Sequence, residues 1–212
     1  MIEKIGTQGY ETLSKPDSTV LRYLDLVMKS NDNPVYYEIG VGIGATTLPV
    51  AEKLNNKGKI ILLSREHHVK ELAEDLAERG FANIDSSMGN PLKTYSGYHF
   101  ELAMGALEKK LPKFDLAYID GGHVFHLDAP ATCILKELCR PNAYMIFDDY
   151  NWSLAKSPTL RPSKRPDTLK EYDLRQIEAC HVMMVCKIFM DVDSRFKFLG
   201  FENGSAIYQY CA

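Results

Sequence analysis

The sequence predicts an α/β fold, a doubly wound and mostly parallel sheet with helices on both faces and a C-terminal β-hairpin. Three observations carry that expectation. Short apolar runs at 35–39, 59–63, 115–119 and 143–147 alternate with longer amphipathic stretches, the rhythm of buried strands joined by crossover helices. The first run, Val35-Tyr36-Tyr37-Glu38-Ile39, leads into Gly40-Val41-Gly42-Ile43-Gly44, a glycine-rich turn ahead of a helix. Near the end, Asn203-Gly204 stands between two aromatic-rich runs, the dipeptide that a two-residue hairpin turn prefers.

Residues 1–34 are expected to form an N-terminal helical segment. Lys15-Pro16-Asp17-Ser18 starts a helix with Asp17 or Ser18 as N-cap, and Val20, Leu21, Leu24, Val27 and Met28 recur at helical spacing. Turn chemistry at 31–34 delivers the chain into the first strand. A helix over 46–55 stops at Asn55-Asn56-Lys57-Gly58, and 59–63 is the second strand. The charged amphipathic stretch 67–79 predicts a helix ended by Gly80, followed by a weak third strand over 83–88. Another helix is expected over 97–110, before Pro112. The strand 115–119 lands on Asp120-Gly121-Gly122-His123; a helix over 127–138 precedes the strand 143–147, which ends in Asp148-Asp149. The rhythm breaks at 151–167, which holds Pro158, Pro162, Pro166 and four basic residues and predicts a lid loop. One long helix is expected over 168–190, with Leu169, Tyr172, Ile177, Val182, Val185 and Phe189 among its apolar positions. No internal repeat or break in composition divides the chain, so residues 1–212 are expected to form one domain.

The chain has 212 residues, 45% hydrophobic and 25% charged, with a formal net charge of -3. That is the composition of an ordinary soluble protein, with no reason to expect nucleic acid or an anionic membrane as partner. No apolar run approaches the roughly 20 residues of a membrane-spanning helix, and the first residues lack the apolar core of a signal peptide. Five cysteines (Cys133, Cys139, Cys180, Cys186 and Cys211) form no C-x-x-C pair, as structural thiols of a reducing cytoplasm would. A homo-oligomer is left open.

In an open parallel sheet, ligands bind beyond the carboxyl ends of the strands, so the polar residues at those ends are the candidates. The glycine turn has two readings. Gly40-x-Gly42-x-x-Ala45 satisfies a relaxed dinucleotide fingerprint, which implies a nicotinamide-dependent oxidoreductase. Glu38 upstream and the additional Gly44 fit another ligand better: a carboxylate suits an ammonium group, and the turn suits a carboxylate near backbone N–H groups. That pair describes the methionyl end of S-adenosylmethionine, with Thr46 opening the helix behind it. After the second strand, Ser64 and Glu66 stand where ribose hydroxyls would be gripped, and Asn90 offers an amide to an adenine edge. Asp120, Asp148 and Asp149 end neighbouring strands about 5 Å apart, so three like charges meet at one rim, and a hard cation such as Mg²⁺ would relieve their repulsion. His123, behind two glycines, is the candidate base for a substrate hydroxyl. His67-His68 reads as a solvated face, His126 as structural or surface, and Asp128 as a solvated helix charge.

On Y-E-I-G-V-G-I-G-A-T-T, Y-I-D-G-G-H and L-C-R-P-N-A-Y-M-I-F-D-D-Y-N-W, the chain resembles class I S-adenosylmethionine-dependent methyltransferases. Within them it is most similar to the metal-dependent sugar and antibiotic O-methyltransferases of the macrocin and mycinamicin type. The resemblance covers roughly 35–190 and implies a seven-stranded Rossmann-like sheet. It also implies that Glu38, Gly40, Gly42 and Gly44 hold the methyl donor, that Asp120, Asp148 and Asp149 fall at metal positions and that His123 falls at the base. Two positions depart from the pattern: Ser64 where an acid usually binds ribose, and Asn90 where an aspartate usually meets adenine. Methyl transfer to a small hydroxylated acceptor, a sugar or phenol, is the activity implied. Tyr150, Trp152 and the basic loop would cover that acceptor, which the basic residues would suit if it carried an acidic group. A non-catalytic methyltransferase-like binding protein is the further alternative.

Overall fold

The computed structural model describes residues 1–91 and 97–212. Among the described residues, strands β1 (Val35–Ile39), β2 (Lys59–Leu63), β3 (Ile84–Asp85), β4 (Phe114–Ile119), β5 (Cys139–Phe147), β6 (Phe196–Glu202) and β7 (Ser205–Tyr210) form one sheet in the order β3-β2-β1-β4-β5-β7-β6. The pairs from β3 to β5 are parallel; β7 runs antiparallel to both β5 and β6. Strand order reverses between β1 and β4, which opens a crevice at their carboxyl ends.

Alternation along the strands sends side chains to two separate cores. On one face Tyr37, Ile39, Ile119, Met145 and Phe147 pack with residues of α4 (Tyr98–Leu107), α5 (Phe125–Glu137) and α8 (His181–Val185). On the other, Tyr36, Leu62, Leu116, Tyr118 and Ile146 meet α1 (Ser18–Met28), α2 (Thr47–Leu54) and α3 (Glu66–Glu78). All five residues of β1 are buried, as a central strand covered on both sides requires. Local chemistry sets the boundaries. Asp17 caps α1 by accepting from Val20 N–H at 2.9 Å, Asn55 ends α2 in the left-handed region, and Asn203-Gly204, both at positive φ, turn the β6–β7 hairpin.

Two expectations are corrected. The third strand is Ile84–Asp85 rather than 83–88. The single helix expected over 168–190 is four short pieces: α6 (Thr168–Glu171), α7 (Leu174–Glu178), α8 and a π-helical turn, Cys186–Met190. Tyr172 is extended, and Asp173 restarts the chain with a capping box to Gln176. Cys180 is extended in its turn. His181 pins the break, with Nδ1 accepting from Phe125 N–H at 3.1 Å and Nε2 at 2.7 Å from the Gln176 carbonyl. The apolar period continued through a region where polar side chains compete for the backbone.

Candidate functional site

A cavity of about 720 Å³ opens where the strand order reverses. It is walled by the glycine turn after β1, by Tyr118, Asp120 and His123 at the end of β4, and by Asp148 and Asp149 after β5. The N-terminal segment closes it, through Thr12, Leu13 and Lys15 to Ser18, a contribution that no local sequence signal announces. Thr46 explains the closure: its Oγ1 accepts from Asp17 N–H at 3.0 Å and ties that segment to the turn.

Glu38 sits in the middle of a buried strand, 2% exposed, yet lines the cavity. Burial is the main cause that raises its pKa to about 8; the nearby Tyr36 and Thr47 hydroxyls pull it down and the Asp120 charge pushes it up. Its Oε2, the Tyr36 hydroxyl and the Thr47 hydroxyl all lack an aligned hydrogen-bond partner. Three adjacent orphaned polar atoms are costly unless something completes them. The glycines beside Glu38 divide their work. A Cβ at Gly40 would lie 1.9 Å from the Asp120 carbonyl oxygen, and one at Gly44 would lie 2.5 Å from a Leu72 methyl, so close packing calls for glycine at both, while Gly40 also lines the cavity. Gly42, at φ +49, meets nothing within 4 Å on its Cβ side and lines the cavity. Of the three glycines, Gly42 is the one whose Cβ side is open.

His123 adopts a left-handed conformation, φ +51, and places Nε2 3.3 Å from Asp120 Oδ1 and 3.8 Å from Asp149 Oδ2. Burial lowers the imidazole pKa, but the Asp120 hydrogen bond and the charges of Asp120, Asp149 and Asp128 outweigh it, and the net shift is upward. Burial also raises Asp120, to about 6, against the opposing pull of His123. Asp148 is engaged elsewhere: Oδ1 accepts from Ser205 Oγ at 2.8 Å and Oδ2 from the Tyr118 hydroxyl at 3.1 Å. The three aspartates expected to hold Mg²⁺ share the cavity, but two converge on an imidazole and the third on two hydroxyls. Among the described residues no three His, Cys, Asp or Glu side chains form a group that would hold a metal ion. The arrangement does not fit a three-carboxylate cation site.

The far side of the expected donor site lies apart from the cavity. Asn90 is buried and its Nδ2 donates to the Ser64 carbonyl at 2.7 Å, while Glu66 N–H donates to the Asn90 carbonyl at 2.9 Å. The Glu66 carboxylate pairs with Lys70 one helical turn on. Ser64, Glu66 and Asn90 thus bond to the protein itself, and none lines the cavity. Of the two aromatic candidates, Tyr150 is a core residue whose ring packs 4.6 Å from that of Phe201. Trp152 does reach the site, 5.4 Å from the His123 ring. None of the basic residues of 151–167 lines the cavity, and Arg165 is paired with Glu171. Asp128 is corrected outright. Far from solvated, it is 2% exposed and bonded to the Tyr98 hydroxyl.

Residues 37–150 match a family of methyltransferase domains. No protein of curated function matches the chain. Among solved structures, the chain is similar to the O-methyltransferase TomG from Streptomyces achromogenes, involved in tomaymycin synthesis and solved in complex with SAM. The identity is 14%, over 100% of this chain and 89% of that one, with a TM-score of 0.62. It is similar to the O-methyltransferase from Bacillus cereus in complex with SAH, at 14% identity over 100% and 90% of the two chains and a TM-score of 0.62. A SAM-dependent methyltransferase from Aquifex aeolicus is 16% identical over 100% of this chain and 97% of that one, with a TM-score of 0.52.

Proposed function

This chain belongs to the methyltransferase-domain family, and from that premise we propose that it transfers a methyl group from S-adenosylmethionine to a hydroxyl of a small neutral or cationic acceptor, of sugar or phenol type. The observation that carries the reading is charge. Asp17, Asp120, Asp148 and Asp149 line the cavity beside the buried Glu38, against Lys15 as the lysine or arginine there. A sulfonium and an ammonium group are drawn to such a wall, whereas the pyrophosphate of a nicotinamide cofactor is repelled. The same charge disfavours an acidic acceptor, which the basic loop alone had suggested.

The methionyl end of the donor fits the residues present. Glu38 Oε2, buried and unpartnered, would take the ammonium, and the open side of Gly42 would admit its backbone-like portion. Thr46 holds the N-terminal segment across the cavity mouth. When bound, the donor supplies an electrophilic methyl on sulfur. With His123 Nε2–H directed at Asp120, Nδ1 is the lone pair left for the acceptor hydroxyl, so His123 takes that proton as the oxygen attacks. Asp120 stabilises the imidazolium formed, Trp152 shields it from water, and no step is routed through a cation. Residues 151–152 begin the segment proposed to cover the acceptor, with Trp152 as its point of contact.

Thermal denaturation with S-adenosylhomocysteine and with NAD tests the reading. A ligand at 100 times its Kd adds about 2.7 kcal/mol, a rise in Tm of roughly 5–10 °C for a domain of this size. The rise is expected with S-adenosylhomocysteine and not with NAD; the reverse would replace the transferase by an oxidoreductase, and silence from both would leave a non-catalytic relative.

A further inference from the structure

The loop that presents His123 is held from behind, by residues outside the cavity. Tyr98, the first residue of α4, is buried; its hydroxyl accepts from Gly122 N–H at 3.1 Å and donates to Asp128 Oδ1. Asp128 lies in the first turn of α5, buried in its turn, and its second oxygen has no hydrogen-bond partner. The Tyr98 hydroxyl occupies the space that a side chain at 121 would need, since a Cβ there would come within 2.7 Å of it. Gly121 is therefore glycine because of Tyr98, not because of a ligand. At Gly122 a Cβ would meet Leu127 at 2.9 Å. One residue on, His123 holds its left-handed conformation, which strains a residue with a Cβ and persists only where the surroundings enforce it.

We propose that Tyr98 and Asp128 are a positioning pair that fixes the Gly121–Gly122 backbone and so keeps the His123 imidazole against Asp120. The functional use of this pair rests on the reading of His123 as proton acceptor; the geometric claim stands by itself. Burial and the Asp128 charge keep the Tyr98 hydroxyl protonated, so it donates to the carboxylate and accepts from the loop amide at once. One hydroxyl thus joins α4, α5 and the loop after β4. The groups facing the imidazole are Asp120 after β4, Asp149 after β5, Asp128 on α5 and the Trp152 ring.

Magnetic resonance on the full chain, unaltered and as Tyr98→Phe, tests the pair through two atoms. Removing the hydroxyl should speed exchange of the Gly122 amide about two- to tenfold, the worth of one net hydrogen bond. It should also move the His123 titration midpoint downward as the imidazole loses its fixed approach to Asp120. A Gly122 amide and a His123 midpoint identical to those of the unaltered chain would overturn the proposal. If Tyr98→Phe does not fold, Asp128→Ala leaves the ring in place and carries the same expectation for Gly122, and unchanged protection there overturns it equally. S-adenosylhomocysteine titrated into the unaltered chain separates the two claims. Absence of binding, with Gly122 and His123 still responding to Tyr98→Phe, supports the positioning pair and removes the transferase reading.

Discussion

Strand β4 carries an aspartate near each end, in opposite circumstances. At the amino end, Asp115 is buried and satisfied by Val35 N–H at 2.7 Å, Asn31 Nδ2 at 3.0 Å and Arg140 Nη1 at 2.8 Å. At the carboxyl end, Asp120 faces the cavity and meets His123, while burial and the like charges of Asp148 and Asp149 disfavour its ionised form. The first is a closed account in hydrogen bonds; the second is left open toward a ligand. The same contrast separates the segments after β2 and β3, where Asn90 Nδ2 donates to the Ser64 carbonyl, from β1, where Glu38 Oε2 has no aligned partner. Unpaired buried polar atoms occur elsewhere too, at Asn83, His99, Asp128 and Thr132, but among the described residues Glu38 Oε2 is the one that belongs to a residue lining the cavity.

The largest effect that would sharpen this contrast is on turnover. His123→Gln should lower methyl transfer by about 10²- to 10⁴-fold, the usual worth of a general base, while affinity for S-adenosylhomocysteine stays as it was. Equal loss of binding and rate would place His123 among the donor contacts instead. Asp115→Ala should act on stability alone. It strips three donors of their acceptor and costs about 3 kcal/mol in denaturant unfolding. Asp120→Asn, by contrast, removes a carboxylate that the fold disfavours, and should leave stability unchanged or slightly raised. If the two substitutions destabilise equally, the contrast between the ends of β4 fails.

The pH dependence of stability comes next in size. In the unfolded chain the Glu38 carboxyl ionises near its model value of 4.5, in the fold at about 8. Between those values the folded state holds the extra proton, so stability falls as pH rises through the window and levels off above it. Glu38→Gln should flatten that fall, measured by urea midpoints at several pH values. The smallest effect expected is at Gly42→Ala. The Cβ has room, but φ +49 strains it by about 1 kcal/mol. Donor affinity should suffer more than stability, which at Gly40→Ala should be the other way round, because there the Cβ meets the Asp120 carbonyl.

Much of the fold was legible because strand burial and turn chemistry are local. The β1 run, the Asp17 cap, the Asn55 stop and the Asn203-Gly204 turn each announce themselves within a few residues. The break of 168–190 was written in Asp173 and Gln176, a capping box hidden beneath an apolar period that continued past it. The site was legible in part for the same reason. Glu38 lies near the carboxyl end of β1, and Gly42, Asp120 and His123 lie on turns that follow strands, so position alone nominated them. Position could not tell which polar groups the protein would satisfy by itself. Asn90 and Glu66 follow the carboxyl ends of β3 and β2, at the same edge of the sheet as Glu38, but neighbouring carbonyls, amides and Lys70 engage them. Nor could it foresee partners distant in sequence. Tyr98 reaches Asp128, and Asp17 reaches Thr46, only through the assembled fold.

The central claim is that Glu38 is left unpartnered for the ammonium of a methyl donor. Calorimetric titration of S-adenosylhomocysteine at pH 7, in two buffers of different ionisation enthalpy, tests it most directly on the unaltered chain and on Glu38→Gln. At that pH the empty site holds its proton, and an arriving ammonium should expel about one proton per ligand bound. The variant should bind roughly 10- to 100-fold more weakly, the worth of a charge-assisted hydrogen bond, and release none. Binding of equal strength with the same proton count in both proteins, or no binding in either, would contradict the account.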